Sequence, residues 1–296
     1  MKGILLALTT GIAIIFSFSA TAATNISNNI TTTVATKSMN KTADLQLWRL
    51  DCGTIQVNKL EMFSDTFNYI GESKTLTGSC YLIRHNDQLM LWDTGFPEKM
   101  LNAKFTTDPI SPTLNRTLRD QLQQINIKAE DIDIVGISHY HGDHIGQAIQ
   151  FPKAKLLIGA DDLKVLKQTP PPAGVDAAAF APWLTGGSPV DAVAVDRDVF
   201  GDGSVVMVNT PGHTPGSHSL LVRLPKFGPV VLSGDTVHFN EQVTNNNVPS
   251  FNTDRAQSLA SMNRLYGIQK DLPATLIIQH EPEHIKLLPA FPQSVQ

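Results

Sequence analysis

Between Ser138 and His144 the chain reads Ser-His-Tyr-His-Gly-Asp-His. Three imidazoles and a carboxylate crowd into residues 139–144, directly after the apolar run 132–137. Neither strand alternation nor core packing favours that density of polar groups. Neutral imidazole nitrogens and carboxylate oxygens are ligands that zinc accepts, and each side chain keeps a second polar atom that can be fixed from behind. The cluster predicts a metal centre. Three more candidate ligands end apolar stretches downstream: His213 in Thr210-Pro211-Gly212-His213, Asp235 in Leu232-Ser233-Gly234-Asp235, and His280 after Leu276-Ile277-Ile278-Gln279. At a strand end the sheet holds the backbone and leaves the side chain free to enter a cleft. Taken singly, a histidine after a strand or a Gly-Asp turn is ordinary. Together with the cluster they make seven ligands, His139, His141, Asp143, His144, His213, Asp235 and His280. Seven suffice for two divalent ions sharing one carboxylate.

The elements that must position these residues are short apolar runs separated by turns. Residues 45–50, 80–84, 89–92, 132–137, 154–158, 205–208, 219–224, 230–232 and 276–278 read as strands. Helical spacing occurs over 115–125, 160–167 and 255–266, the last with Leu259, Met262 and Leu265 on one face. Strands and helices do not alternate strictly, so an α+β sandwich of sheets covered by helices is expected rather than a doubly wound parallel sheet. Pro170-Pro171-Pro172 breaks the second helix, and a loop runs to about Pro189. Its length and its Phe180 and Trp183 make it a candidate binding loop or lid.

The 296 residues carry 23 Lys+Arg against 27 Asp+Glu, a formal charge of −4. That balance gives no electrostatic reason to expect nucleic acid or an anionic membrane surface as partner. The first 22 residues read as a cleavable signal peptide: Met1-Lys2, an apolar stretch over 3–18, then the small-x-small site Ala20-Thr21-Ala22. Export to the periplasm or beyond is expected, with no stable membrane insertion after cleavage. Residues 23–44 are rich in Thr, Asn, Ser and Ala and read as a disordered lead-in. Residues 45–296 contain no clear linker and read as one domain. Cys52 and Cys80 lack CxxC or Cys/His spacing; a disulfide and two buried thiols both remain open.

The pattern His139-x-His141-x-Asp143-His144, then His213, Asp235 and His280, resembles the metallo-β-lactamase superfamily. The resemblance implies an αββα sandwich with the site at one edge. It also implies that His139, His141 and His213 hold one zinc, that Asp143, His144 and His280 hold the other, and that Asp235 bridges them. Within the superfamily the chain is most similar to the N-acyl-homoserine lactonases. Leu91-Trp92-Asp93-Thr94-Gly95-Phe96-Pro97, Thr210-Pro211-Gly212-His213-Thr214-Pro215-Gly216 and Ser233-Gly234-Asp235 match their turns. Asp93 is expected either to steady the loop carrying the first histidines or to be a simple turn aspartate.

Two departures from that family stand out. The lactonases commonly place a Tyr three residues after the bridging Asp, where this chain has His238; an imidazole N–H can donate to a substrate carbonyl in its stead. The family's TPGHTPGH becomes Thr-Pro-Gly-Ser here, and His218 is expected to be structural. His85 and His284 are expected at the surface.

The implied reaction is lactone opening by a hydroxide shared between two zinc ions, with Asp143 passing a proton to the leaving ring oxygen. Other divalent metals could serve, and a homodimer is compatible with the family. Met62, Phe63, Phe67, Tyr69 and Ile70, with Phe180, Trp183 and His238, are the candidates for contact with a small-molecule lactone and its acyl chain. Competing readings are a phosphotriesterase-like enzyme, a β-lactamase and, from a different class, a mono-iron dioxygenase on the same scaffold.

Overall fold

Period-two alternation of apolar side chains decides the architecture. The computed structural model describes residues 43–172 and 175–296. The expected signal peptide, and the expected polar lead-in up to residue 42, lie outside the described residues. Strands β1 (Leu45–Val57), β2 (Lys74–His85) and β3 (Gln88–Trp92) form an antiparallel meander. Leu45, Leu47, Tyr81, Ile83, Met90 and Trp92 leave its inner face; Trp48, Leu50, Cys80, Leu82, Leu89 and Leu91 leave its outer face. Strand β4 (Ile110–Thr113) pairs with the far end of β1, while β5 (Ile134–Gly136), β6 (Lys155–Gly159) and β7 (Val190–Val193) continue the sheet in parallel from β3.

A second sheet contains β8 (Arg197–Asp198), β9 (Val205–Asn209), β10 (His218–Leu224), β11 (Gly228–Leu232) and β12 (Thr275–Ile277). Strand β13 (Ser294–Val295) returns to the first sheet beside β1. Val205, Met207, Leu220, Val222, Val230, Leu232 and Ile277 face the first sheet, so the inter-sheet core is built from alternate residues of both.

Helices cover the two outer faces. Helix α1 (Leu118–Gln124), capped by the Thr117 side chain, and helices α2 (Gly142–Ile145), α3 (Ala160–Leu166) and α4 (Ala181–Leu184) lie along the stretch whose apolar residues pack on the outer face of the first sheet. Helix α5 (Asn240–Asn245) follows the Asp235 turn. Helix α6 (Arg255–Asp271), capped by Asp254, sets Met262 and Leu265 on Val208, Leu221 and Val231 of the second sheet. Helix α7 (Pro282–Ile285) follows His280. The layers are therefore αββα, as expected. Among the described residues no helix is long and apolar enough to cross a membrane.

Three expectations are corrected. The Pro-rich loop is no lid: Phe180 and Trp183 are buried in the core under the first sheet, and the Trp183 indole N–H donates to the Ala154 carbonyl at 2.8 Å. A large apolar ring with its one donor satisfied belongs inside. His85 is buried rather than at the surface; it stacks flat on Phe200 with centroids 4.1 Å apart and pairs with Asp202 at 2.7 Å. His284 is half-buried, its Nδ1 accepting from the Ile278 amide. The cysteine question resolves as a Cys52–Cys80 disulfide joining the neighbouring strands β1 and β2.

Candidate metal centre

The site forms where chain segments leave the strands. β5 delivers the histidine cluster, β9 the His213 turn, β11 the Asp235 turn and β12 His280. The Asp93 turn after β3 clamps the first of these. Thr94 donates through both its amide and its hydroxyl to the His144 carbonyl, and the Gly146 amide donates to the Gly95 carbonyl. Gly95 has φ +65°, and a Cβ there would sit 2.7 Å from the Cys52 sulfur, so only glycine suits this turn.

All seven expected ligands converge. Ligand atoms of His139, His141 and His213 group together, and those of Asp143, His144, Asp235 and His280 form a second group. Asp235 joins the two. Its Oδ2 lies 3.4 Å from His213 Nε2 and 3.6 Å from His139 Nε2, while its Oδ1 lies 2.9 Å from His280 Nε2 and 3.2 Å from His144 Nε2. Asp143 Oδ2 stands 3.5 Å from His144 Nε2 and 3.6 Å from His280 Nε2.

Hydrogen bonds from behind aim these rings. His280 Nδ1 donates to the Thr77 carbonyl at 2.7 Å, His213 Nδ1 to Asn252 Oδ1 at 2.8 Å, and His144 Nδ1 to Asp93 Oδ2 at 2.9 Å. The Ser138 hydroxyl donates to Asp93 and so can accept from His139 Nδ1 at 3.1 Å. In its neutral form, with Nδ1 carrying the proton, each of these four rings turns a bare Nε2 inward. Asp93 is thus more than a turn residue: fully buried, at φ +59°, it also accepts from the Ser138 amide and the Gln279 side chain.

A cation fits what results. His139 Nε2, His141 Nδ1 and His213 Nε2 form a triangle with sides of 3.0, 2.9 and 3.1 Å. Two of its corners have spent their proton elsewhere, so lone pairs face one another across the triangle. Such a spacing suits three nitrogens each ~2 Å from a shared ion. In the second group, His144 Nε2 is buried without a hydrogen-bond partner although Asp235 Oδ1 lies 3.2 Å away. Orphaned buried polar atoms of this kind are costly unless something charged satisfies them.

Electrostatics follow the same division. Burial, reinforced by neighbouring imidazoles, holds His139 and His213 well below the ordinary histidine range and lowers His141, so these rings are neutral, as ligands must be. Burial also opposes charge on His144 and His280, but Asp235 and Asp143 outweigh it and raise both. Burial would raise the Asp235 carboxyl; His280, His144 and His238 outweigh that and hold it well below its usual range.

Asp162 escaped the sequence reading as a site residue. It is buried in α3, and it accepts from Thr214 Oγ1 at 2.8 Å and the Gly216 amide at 2.7 Å, with the Tyr140 amide also bonded to it. One carboxylate therefore ties together the loops that carry His139–His141 and His213. Burial pushes its carboxyl up to about 7. The sequence signal was its acidic pair at a helix start, which reads equally as a dipole partner.

A cavity of about 190 Å³ opens beside the metal ligands. Ile55, Leu76, Phe96, Ile110, Phe63 and Phe251 wall it, His141, Asp143, His213, Asp235 and His280 floor it, and His238 completes it. Of the expected substrate contacts, Phe63 and His238 line it. Met62 is half-buried against the neighbouring apolar cluster, and Tyr69 is buried in that cluster with its hydroxyl on Asn245. Phe67, 85% exposed, and Ile70 stand outside the lining. The φ of +60° at Phe67 and +67° at Tyr69 makes the loop irregular here. His238 Nε2 is 3.1 Å from Asp235 Oδ2, close enough to make a third potential ligand group with His213 and Asp235. His218 is structural, its Nδ1 donating to the Gly216 carbonyl.

The family model of the metallo-beta-lactamase superfamily matches residues 74–280. The chain belongs to that superfamily. Among curated relatives, an N-acyl homoserine lactonase AttM of Azorhizobium caulinodans is 29% identical over 183 residues, 55% of this chain; the match spans 63% of that relative's length. A solved N-acyl homoserine lactone hydrolase with N-hexanoyl-L-homoserine at its metal centre superposes with a TM-score of 0.71 at 21% identity, covering 84% of this chain and 98% of that one. AidC, described as a dizinc quorum-quenching lactonase, superposes at 0.63 and 19% identity, covering 86% and 90%. These superpositions establish the metallo-β-lactamase fold for the chain. The His/Asp cluster at its edge suits a divalent metal site.

Proposed function

We propose that this superfamily member is an exported dinuclear zinc hydrolase that opens the lactone ring of N-acyl-homoserine lactones. The observation that carries the reading is the Asp235 carboxylate, one oxygen turned to each ligand group beside an apolar cavity. When bound there, paired divalent cations supply an acidified water and a Lewis acid for a carbonyl oxygen.

The chain's own residues do the rest. The apolar wall takes the acyl chain and keeps bulk water off the reacting carbonyl. Among the residues lining the cavity there is no Lys or Arg, which favours a neutral substrate over an anionic one such as a cephalosporin. Burial opposes charge on Asp143, yet His144 and His280 outweigh it and keep the carboxyl ionised. Asp143, at the cavity floor, would take a proton from the attacking water and deliver it to the departing ring oxygen. His238 lines the cavity at the place of the family's Tyr and positions the lactone against Asp235. A phosphotriester is also neutral and is the second reading that the lining permits.

A pH-indicator hydrolysis panel on one zinc-loaded preparation tests this. Acyl-homoserine lactones should turn over fastest, a phosphotriester more slowly and a cephalosporin least. Faster turnover of the phosphotriester or the cephalosporin would replace the reading. Metal analysis of protein purified without added metal should return two divalent ions per chain; a single iron would defeat it. Export is checked by sequencing the N-terminus of the protein recovered outside the cytoplasm, which should begin just after Ala22.

A further inference from the structure

Behind the wall of the cavity lies a second cleft of different chemistry. The cross-strand pair Ile55 and Leu76 faces the cavity, and the next pair along the same ribbon, Thr54 and Thr77, lines the cleft. Because successive residues of a strand face opposite ways, the β1–β2 ribbon separates the two. The cleft, about 310 Å³, sits where the edge of β1 is left open between its pairings with β13 and β4. Its lining is largely polar and includes Arg49, Arg116, Asn115 and Gln121.

Its charges are unbalanced. Arg49 is half-buried, with its Nε enclosed and lacking any hydrogen-bond partner. Among the described residues no carboxylate is within 4.0 Å of either guanidinium, whereas Arg197, Arg255 and Arg264 each have one. Asp51 shares the cleft, but it serves the backbone, accepting from the Gly53 amide at 3.1 Å. One carboxylate against two guanidiniums leaves the cleft net positive. Planar guanidinium forks favour carboxylate and phosphate oxygens, and a partly desolvated Arg without a partner is costly.

We propose that this cleft is a binding site for a small oxyanion, a phosphate or carboxylate group held by Arg49 and Arg116 with help from the Asn115 amide. The site is separate from the metal centre and independent of the lactonase reading. Thr54 and Thr77 hydroxyls remain available to the bound oxygens.

Calorimetric titration of the zinc-loaded full chain with inorganic phosphate, and separately with acetate, tests it. At least one of the two should bind. Arg49→Gln and Arg116→Gln should each weaken that binding about tenfold, the loss expected for one charge-assisted fork. Arg116 is exposed, so its replacement leaves folding intact. Phosphate preferred over acetate identifies a phosphate-bearing ligand, and the reverse identifies a carboxylate. Binding undiminished in both variants would put the anion on the metal ions instead and overturn the proposal. So would the absence of binding by either anion up to about 20 mM, weaker than any site of use to the cell.

Discussion

The two halves of the candidate site are built on opposite plans. The metal half consists of seven candidate ligands on four strand-end loops, with four of the five imidazoles aimed by a hydrogen bond from behind. The apolar wall is six side chains drawn from β1, β2, β4 and three connecting segments, with no polar bond fixing any of them. The difference teaches where specificity can change. Aim and charge are over-determined in one half, so a single substitution there should be severe. Shape in the other half depends on van der Waals contact alone, and substitutions should be graded.

The severest break is expected at Asp235. Asp235→Asn replaces an anionic bridge by a neutral amide, one end of which is a donor facing two imidazole nitrogens. Metal content should fall from two ions per chain to one or fewer, and kcat/KM by roughly a thousandfold or more, matching the several kcal/mol a catalytic metal supplies. Two ions retained at near-normal activity would show that Asp235 is dispensable and that the halves are not built differently after all.

Asp162 sharpens the same contrast through stability. Its folded carboxyl, raised to about 7 by burial against an ordinary 3.8, favours the protonated form in the folded state. The stability it contributes is therefore full below about pH 4 and is lost as pH rises towards 7, a swing on the order of a few kcal/mol. Asp162→Asn cannot titrate yet keeps an oxygen for the Gly216 amide. Thermal melting of the two metal-free proteins across pH 4–8 should therefore differ in slope, the variant losing less stability with rising pH. Parallel curves would mean that the carboxyl does not titrate in this range.

Asp93→Asn should act less strongly. The amide still accepts from the Ser138 amide but receives the His144 Nδ1 proton poorly. Metal affinity should fall about 10–100-fold, as it does when such a rear partner is lost. Competition with a chromophoric chelator would measure it, and unchanged affinity would return Asp93 to the status of a turn residue.

The same contrast explains what could be read from sequence. The ligands announced themselves because buried runs such as residues 134–137 end abruptly in polar residues that no core accepts, and because their types suit one kind of ion. Residues 80–84 and 219–224 were equally visible as apolar runs, although which side chains enter which layer was not. The wall was not legible. Ile55, Leu76, Phe96 and Ile110 are the same residue types as their core neighbours, and only the bulge in β1 near Asp51–Gly53 and the pairing with β4 decide which face they present. Phe180 and Trp183 misled for that reason: an aromatic residue in a long loop reads the same whether it lines a cleft or plugs a core. Short edge strands such as β8 and β13, two residues each, carry too little pattern to be seen.

The gentlest prediction concerns that wall. Phe251 is 40% exposed at the mouth, packs edge-on against Phe63 with centroids 5.3 Å apart, and lies 5.9 Å from the His213 ring. Truncating it removes apolar contact from the outer part of an acyl chain without touching any ligand's hydrogen bond. If the acyl chain leaves the reacting carbonyl along this wall, Phe251→Ala should lower kcat/KM for long-chain lactones by about four- to fifteenfold, worth one or two methylenes of contact at ~0.8 kcal/mol each. Short-chain substrates, which do not reach the mouth, should be nearly unaffected, and metal content should stay at the wild-type value. Trp183→Phe provides the contrast: it strips a buried indole of its bond to the Ala154 carbonyl, so it should lower the melting temperature while leaving the chain-length ranking as it was. A ranking that moves with Trp183 and not with Phe251 would place the acyl chain on the opposite side of the first sheet, and the wall described above would then have to be a structural face instead.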